Sequence, residues 1–151
     1  MSDHTRLDAA LALAARGFKV FPIRGGAKAP PLLSDWPRLA KGDRDGIAVW
    51  WETWPEANIG VHCAGLLVLD VDVKSGGDES YAKLDIFEGF PHTLCTRTPT
   101  GGRHLFYRLP DGHPGVANSA GKIAPGLDVR STGGYVVAPG SVVPAGEYRF
   151  E

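Results

Sequence analysis

The chain has 151 residues, with 16 basic and 17 acidic side chains and a formal net charge of −1. At 43% hydrophobic and 22% charged, it can bury a core of useful volume, and disorder is excluded. So is a generally basic, histone-like nucleic-acid binder, because any phosphate binding must come from a local patch.

The N-terminal stretch places Leu7, Ala10, Leu11, Ala14 and Ala15 at spacings of three and four. This predicts an amphipathic helix with Ser2 or Asp3 as cap and Gly17 as stop. Phe18–Ile23 reads as a strand, with Pro22 pointing to an edge position. Arg24–Pro31 is a loop, and Trp36 sits in a proline-rich continuation of it. Asp43–Trp54 is predicted helical, because Ile47, Trp50, Trp51 and Trp54 recur at three and four and Pro55 ends the run. These tryptophans read as core rather than as base-stacking platforms, although the adjacent Trp50 and Trp51 cannot face the same way. Asn58 is taken as a turn residue. Strands follow at Asn58–His62 and Leu66–Val73, then a helix at Asp78–Phe87 with Tyr81, Leu84 and either Ile86 or Phe87 inward. Thr93–Thr98 and Arg103–Leu109 are strands joined by Pro99-Thr100-Gly101-Gly102. Leu109–Pro125 reads as a loop. Short strands are predicted at Leu127–Ser131, Tyr135–Ala138 and Glu147–Phe150. The helix–strand units feeding a mainly β second half predict an α+β fold with a mixed or antiparallel sheet.

The sharpest chemical feature is Leu67-Val68-Leu69-Asp70-Val71-Asp72. The strand period of two puts Asp70 and Asp72 on one face, roughly 7 Å apart at the backbone. They can converge on hard cations, or they can be a solvated strand end that caps the next turn. Thr98-Pro99-Thr100-Gly101-Gly102-Arg103-His104 exposes backbone N–H groups beside two side-chain donors. On a strand, His104 shares a face with Phe106 and opposes Arg103; it reads either as a ligand or as a satisfied, half-buried histidine. In Gly126-Leu127-Asp128-Val129-Arg130, Asp128 and Arg130 point away from Leu127 and Val129. They form an internal pair, or a third metal carboxylate beside a phosphate-binding cation. Gly26-Ala27-Lys28-Ala29-Pro30 is not a P-loop, and Lys28 is either a solvated loop residue or a mobile phosphate contact. His4, His62, His92 and His113 form no paired ligand spacing. Cys63 and Cys95 cannot build a structural zinc site alone. With no export signal at the start of the chain, a cytoplasmic location with reduced thiols is expected.

The order of these blocks resembles the bifunctional primase-polymerase (prim-pol) family of the archaeo-eukaryotic primase superfamily. It runs Gly26-Ala27-Lys28-Ala29-Pro30, Trp50-Trp51, Pro55-x-x-Asn58-Ile59-Gly60-Val61 and Val68-Leu69-Asp70-Val71-Asp72. Thr98-x-x-Gly101-Gly102-Arg103-His104, Gly126-Leu127-Asp128-Val129-Arg130 and Gly133-Gly134-Tyr135-Val136-Val137-Ala138-Pro139 follow. The resemblance covers about residue 7 to 150. It implies a catalytic core on an RRM-like sheet joined to an N-terminal α/β unit, with residues 1–151 as one catalytic domain. It further implies an N-terminal fragment of a longer phage or plasmid replication protein in a bacterial host, followed by helical and helicase regions.

Carried over residue by residue, the resemblance makes Asp70, Asp72 and Asp128 the ligands of two Mg²⁺ or Mn²⁺ ions. His104 becomes the contact to the phosphates of an incoming nucleoside triphosphate. Arg103, Arg130, Lys28 and Thr100 are further triphosphate contacts. Some members carry a serine two residues before the histidine, where this chain has Gly102. The implied activity is template-directed nucleotidyl transfer, as DNA polymerase and primase, on a DNA template and primer. The alternatives are a non-catalytic nucleotide or nucleic-acid binding module of primase fold, and another Asp-x-Asp metal enzyme such as a glycosyltransferase or nuclease.

Overall fold

The computed structural model describes residues 4–151, apart from the side chains at positions 4, 5 and 86–88. The helices are α1 (His4–Ala15), α2 (Trp36–Leu39), α3 (Arg44–Thr53) and α4 (Gly77–Glu88), with a 3-10 turn at Val73–Ser75. The strands are β1 (Val20–Ile23), β2 (Asn58–His62), β3 (Leu66–Val71), β4 (Leu94–Arg97), β5 (Arg103–Arg108) and β6 (Ser119–Ala124). They continue with β7 (Leu127–Arg130), β8 (Tyr135–Val137), β9 (Val142–Val143), β10 (Gly146–Glu147) and β11 (Arg149–Phe150). This is an α+β, primase-like fold built on antiparallel pairings. No helix among the described residues is long and apolar enough to cross a membrane. The chain forms two compact units, one made of the chain up to His62 with Tyr135–Arg149, the other of Cys63–Gly134 with Phe150–Glu151.

In the first unit, β1, β2 and β8 form a three-stranded sheet with β1 at an edge, as Pro22 requires. The Phe21 ring occupies the space a Cβ on Gly60 would need, so only glycine fits at that register position. The expected caps Ser2 and Asp3 of α1 lie outside the described residues. Helix α3 begins where its cap predicts: the Asp43 carboxylate accepts from Gly46 N at 2.9 Å. Ile47 and Trp51 are its buried residues, and Trp51 Nε1 donates to the Ala57 carbonyl at 3.0 Å. Trp50 is only half-buried and carries the Lys41 ammonium 4.7 Å above its ring. Trp36, expected in a loop, sits in the single turn α2 and stacks on Phe21 with centroids 4.7 Å apart. Asn58 is no turn residue. It is fully buried at the start of β2, where its amide donates to the Ala27 and Val142 carbonyls and accepts from Val142 N.

The second unit holds a six-stranded sheet in the order β11-β4-β5-β3-β7-β6. One face carries Leu69, Val71, Leu105 and Leu127, all buried, with Tyr81 and Leu84 of α4 packed against them. Each such side chain contributes roughly 1.5–3 kcal/mol when fully buried. The inward residue expected at Ile86 or Phe87 lies outside the described side chains. Helix α4 docks closely because glycines meet there. Asp72 N donates to the Gly126 carbonyl and Gly77 N to the Asp72 carbonyl, each at 2.8 Å. Ser80 Oγ adds a bond to the Pro125 carbonyl at 2.6 Å.

Three strand features depart from the sequence reading. The segment read as a loop before Pro125 contains β6, a mostly exposed edge strand with Gly121 at φ 66° and a register shift between Ala120 and Ala124. It has no alternating apolar pattern to betray it. The C-terminal strand expected at Glu147–Phe150 is split into β10, which pairs with β9, and β11, which borders β4. The expected strand Leu66–Val73 stops at Val71 and gives way to the 3-10 turn.

Candidate active site

Sheet register assembles the site. Asp70 on β3 lies directly opposite His104 on β5 and Asp128 on β7, and His104 in turn lies opposite Thr96 on β4. Residues opposite one another in antiparallel strands share a face, with Cβ atoms about 4.5–5.5 Å apart. One row thus reads Thr96, His104, Asp70, Asp128 on the face away from α4. The adjacent row on that face holds Phe106, Val68 and Arg130.

Burial grades along the row. Thr96 is 1% exposed and His104 5%, whereas the side chains of Asp70, Asp128 and Arg130 are 25%, 23% and 37% exposed. The site is closed at the threonine end and open at the carboxylates. His104 Nε2 stands 3.4 Å from Asp70 Oδ1. Asp128 accepts from Gly121 N at 2.9 Å through one oxygen, and its other oxygen faces an Arg130 amino group at 4.0 Å.

Asp72 takes the turn-capping alternative of the sequence reading. Its carboxylate caps the turn after β3, accepting from Lys74 N at 3.1 Å and Ser75 Oγ at 3.2 Å. The direct partner of Asp70 is therefore Asp128, not Asp72. Each Asp72 oxygen accepts one bond here, which leaves lone pairs for a cation.

The other expected contacts separate. Arg103 lies on the opposite face of the sheet, its guanidinium 4.8 Å from the centre of the Tyr81 ring. Thr100 is exposed at the β4–β5 turn. Lys28 is exposed in the first unit, on a loop whose Lys28 carbonyl accepts from the Tyr135 hydroxyl at 2.9 Å. At Gly102 a Cβ would run into the Val71 carbonyl and come within 2.9 Å of Thr98 Oγ1. Glycine is thus required by the close passage of the turn over the end of β3, and Gly102 N donates to Thr98 Oγ1 at 3.0 Å. No disulfide joins Cys63 and Cys95, and burial followed by the neighbouring Glu151 pushes the Cys95 thiol up to about 12, so it stays protonated at neutral pH.

The residue that the register adds to the row is Thr96. A strand threonine carries no chemical signal by itself. Asn58, in the first unit, has a structural part: its hydrogen bonds tie down the Lys28 loop at Ala27.

Among the described residues, no three His, Cys, Asp or Glu side chains converge into a ready-made metal cage. The donor chemistry present still fits a hard divalent cation. Two carboxylates placed directly opposite repel each other, and a cation between them relieves that repulsion. Mg²⁺ in particular is commonly held by one or two carboxylates plus substrate phosphates and water rather than by an all-protein shell.

A family model described as Prim-Pol, bifunctional DNA primase/polymerase, N-terminal, matches residues 10–151. The chain belongs to the Prim-Pol family. No curated protein matches it. Prim-Pol membership supports nucleotidyl transfer of the DNA primase/polymerase type, an activity that acts on nucleotides and DNA and in general uses divalent metal. The matched span includes every residue of the Thr96–Asp128 row.

Proposed function

We propose that this Prim-Pol domain adds nucleotides to the 3′ end of a DNA primer under template direction, and that Asp70 and Asp128 are the principal ligands of Mg²⁺ or Mn²⁺. The observation that carries this reading is the direct pairing of Asp70 with Asp128 at the open end of a row whose closed end holds His104. Two divalent ions bound there would lower the pKa of the primer hydroxyl and stabilise the leaving pyrophosphate.

The protein's own part is positioning and charge. The 3′-oxygen bonds to the α-phosphorus as the bond to pyrophosphate breaks, and no covalent protein intermediate is needed. Asp70 and Asp128 supply hard oxygen donors from two rigid strands. Asp72, one residue beyond β3, is the third carboxylate within reach of the same strand end. His104, whose Nε2 already faces Asp70, is fixed by burial and meets the triphosphate. Arg130, two residues from Asp128 and on its face, offers a bidentate phosphate contact. Thr100, exposed at the β4–β5 turn, is a further phosphate contact, while Arg103 falls outside this group because it points to the α4 face. We place the activity in replication of phage or plasmid DNA, with helical and helicase regions as partners.

His104→Ala is expected to raise the nucleotide KM about 10- to 150-fold, with a smaller change in kcat, since a hydrogen bond to a charged group contributes roughly 1.5–3 kcal/mol. Steady-state primer extension at varied nucleotide concentration measures this, and an unchanged KM would remove His104 from the phosphate site.

A further inference from the structure

We propose that Thr96 is a positioning residue for His104, its hydroxyl setting the imidazole tautomer that presents an N–H at Nε2. The inference rests on the reading of His104 as a nucleotide contact. Thr96 lies directly opposite His104 in the β4–β5 register. It is 1% exposed, and its Oγ1 has no hydrogen-bond partner. Burying a hydroxyl without a partner is costly, and a valine of the same shape would avoid that cost.

The side chains around it narrow what the hydroxyl can serve. Just past the end of β4, the hydroxyl of Thr98 already accepts from Gly102 N at 3.0 Å. Across the sheet the polar side chain in register is the imidazole. That ring turns Nε2 toward Asp70 at 3.4 Å, which puts the buried Nδ1 on its other edge.

A neutral imidazole has one donor and one acceptor nitrogen. If Nε2 is to donate toward a carboxylate or a phosphate, Nδ1 must be the acceptor, and a buried acceptor calls for a donor. The Thr96 hydroxyl, directly across the register and without a partner of its own, is such a donor. A second-layer hydroxyl of this kind selects the tautomer as a carboxylate or carbonyl does behind a metal-bound histidine.

The test is ¹⁵N NMR of the His104 ring at one fixed neutral pH, paired with nucleotide KM and kcat, for the wild type, Thr96→Val and Thr96→Ser. Thr96→Ala serves as a second hydroxyl-free variant should the valine fail to fold. In the wild type the Nε2–H tautomer is expected to dominate. Thr96→Val is expected to shift the ring toward Nδ1–H and raise KM about fivefold, with kcat within about twofold, the loss of one neutral hydrogen bond. Thr96→Ser is expected to restore both. An unchanged tautomer and KM in the hydroxyl-free variants overturns the proposal, as does a serine variant that behaves like valine. A tautomer shift in a protein whose wild type neither binds nor extends would uphold the positioning while discarding the polymerase reading.

Discussion

Exchanging Asp70 for Asn is expected to lower primer extension on the order of 10³-fold while leaving the folded protein as stable as before, or slightly more so. The two halves of that expectation come from one observation. Asp70 and Asp128 are direct cross-strand partners, so in the absence of a cation their charges oppose folding. Removing one charge relieves the repulsion but leaves a single carboxylate for the cation. The oxygen that faces His104 is retained by Asn, so the row keeps its packing. A residue with a purely structural role gives the reverse pattern, lower stability with activity falling only in proportion. Thermal unfolding and extension rates measured on the same preparation separate the two, and a variant that loses stability yet extends primers at the wild-type rate would return Asp70 to the scaffold.

Gly126→Ala is expected to destabilise the domain by about 3 kcal/mol, from a left-handed backbone imposed on a residue with a Cβ and from overpacking. Gly126 has φ 74°, and an added Cβ would lie 2.6 Å from the Gly77 Cα and 2.8 Å from the Asp72 carbonyl oxygen. Those contacts are the seat of α4 and the segment that carries Asp72 out of β3. In a chain of this size, 3 kcal/mol corresponds to a fall in Tm of about 6–12 °C. Calorimetry or circular dichroism checks it, and a Tm within about 2 °C of wild type would mean that this crossing yields freely.

How much of this was legible in the sequence follows from how local each signal is. The Asp43 cap and the Ile47–Trp51 spacing of α3 are local, and the helix forms where they place it. The strands at Asn58–His62, Leu66–Val71 and Arg103–Arg108 were visible for the same reason. Asp70, Asp128 and His104 were found as motifs, but their mutual arrangement was not. The strand period suggested Asp70 with Asp72, whereas the sheet pairs Asp70 with Asp128, and Asp72 turns to cap the Lys74–Ser75 turn. Register between strands distant in the chain carries no short-range signature. Thr96 carries no local signal, because a strand threonine gains meaning only from its cross-strand neighbour. Strand β6 escaped because an exposed edge around Gly121 lacks apolar alternation. The resemblance makes Arg103 a phosphate contact beside His104, but strand alternation already sends the two to opposite faces, and the structure places Arg103 on Tyr81.

The most direct measurement is extension of a labelled primer on a DNA template by the 151-residue chain. Mg²⁺ and Mn²⁺ are supplied in turn, deoxyribonucleotides and ribonucleotides separately, and the Asp70→Ala/Asp72→Ala variant, shown folded by circular dichroism, runs alongside. Metal-dependent extension by the wild type, lost in the double variant, is the expected result. Extension that survives in the double variant would contradict the metal assignment, and a wild type that neither extends primers nor binds nucleotide by calorimetry would contradict the proposed polymerase.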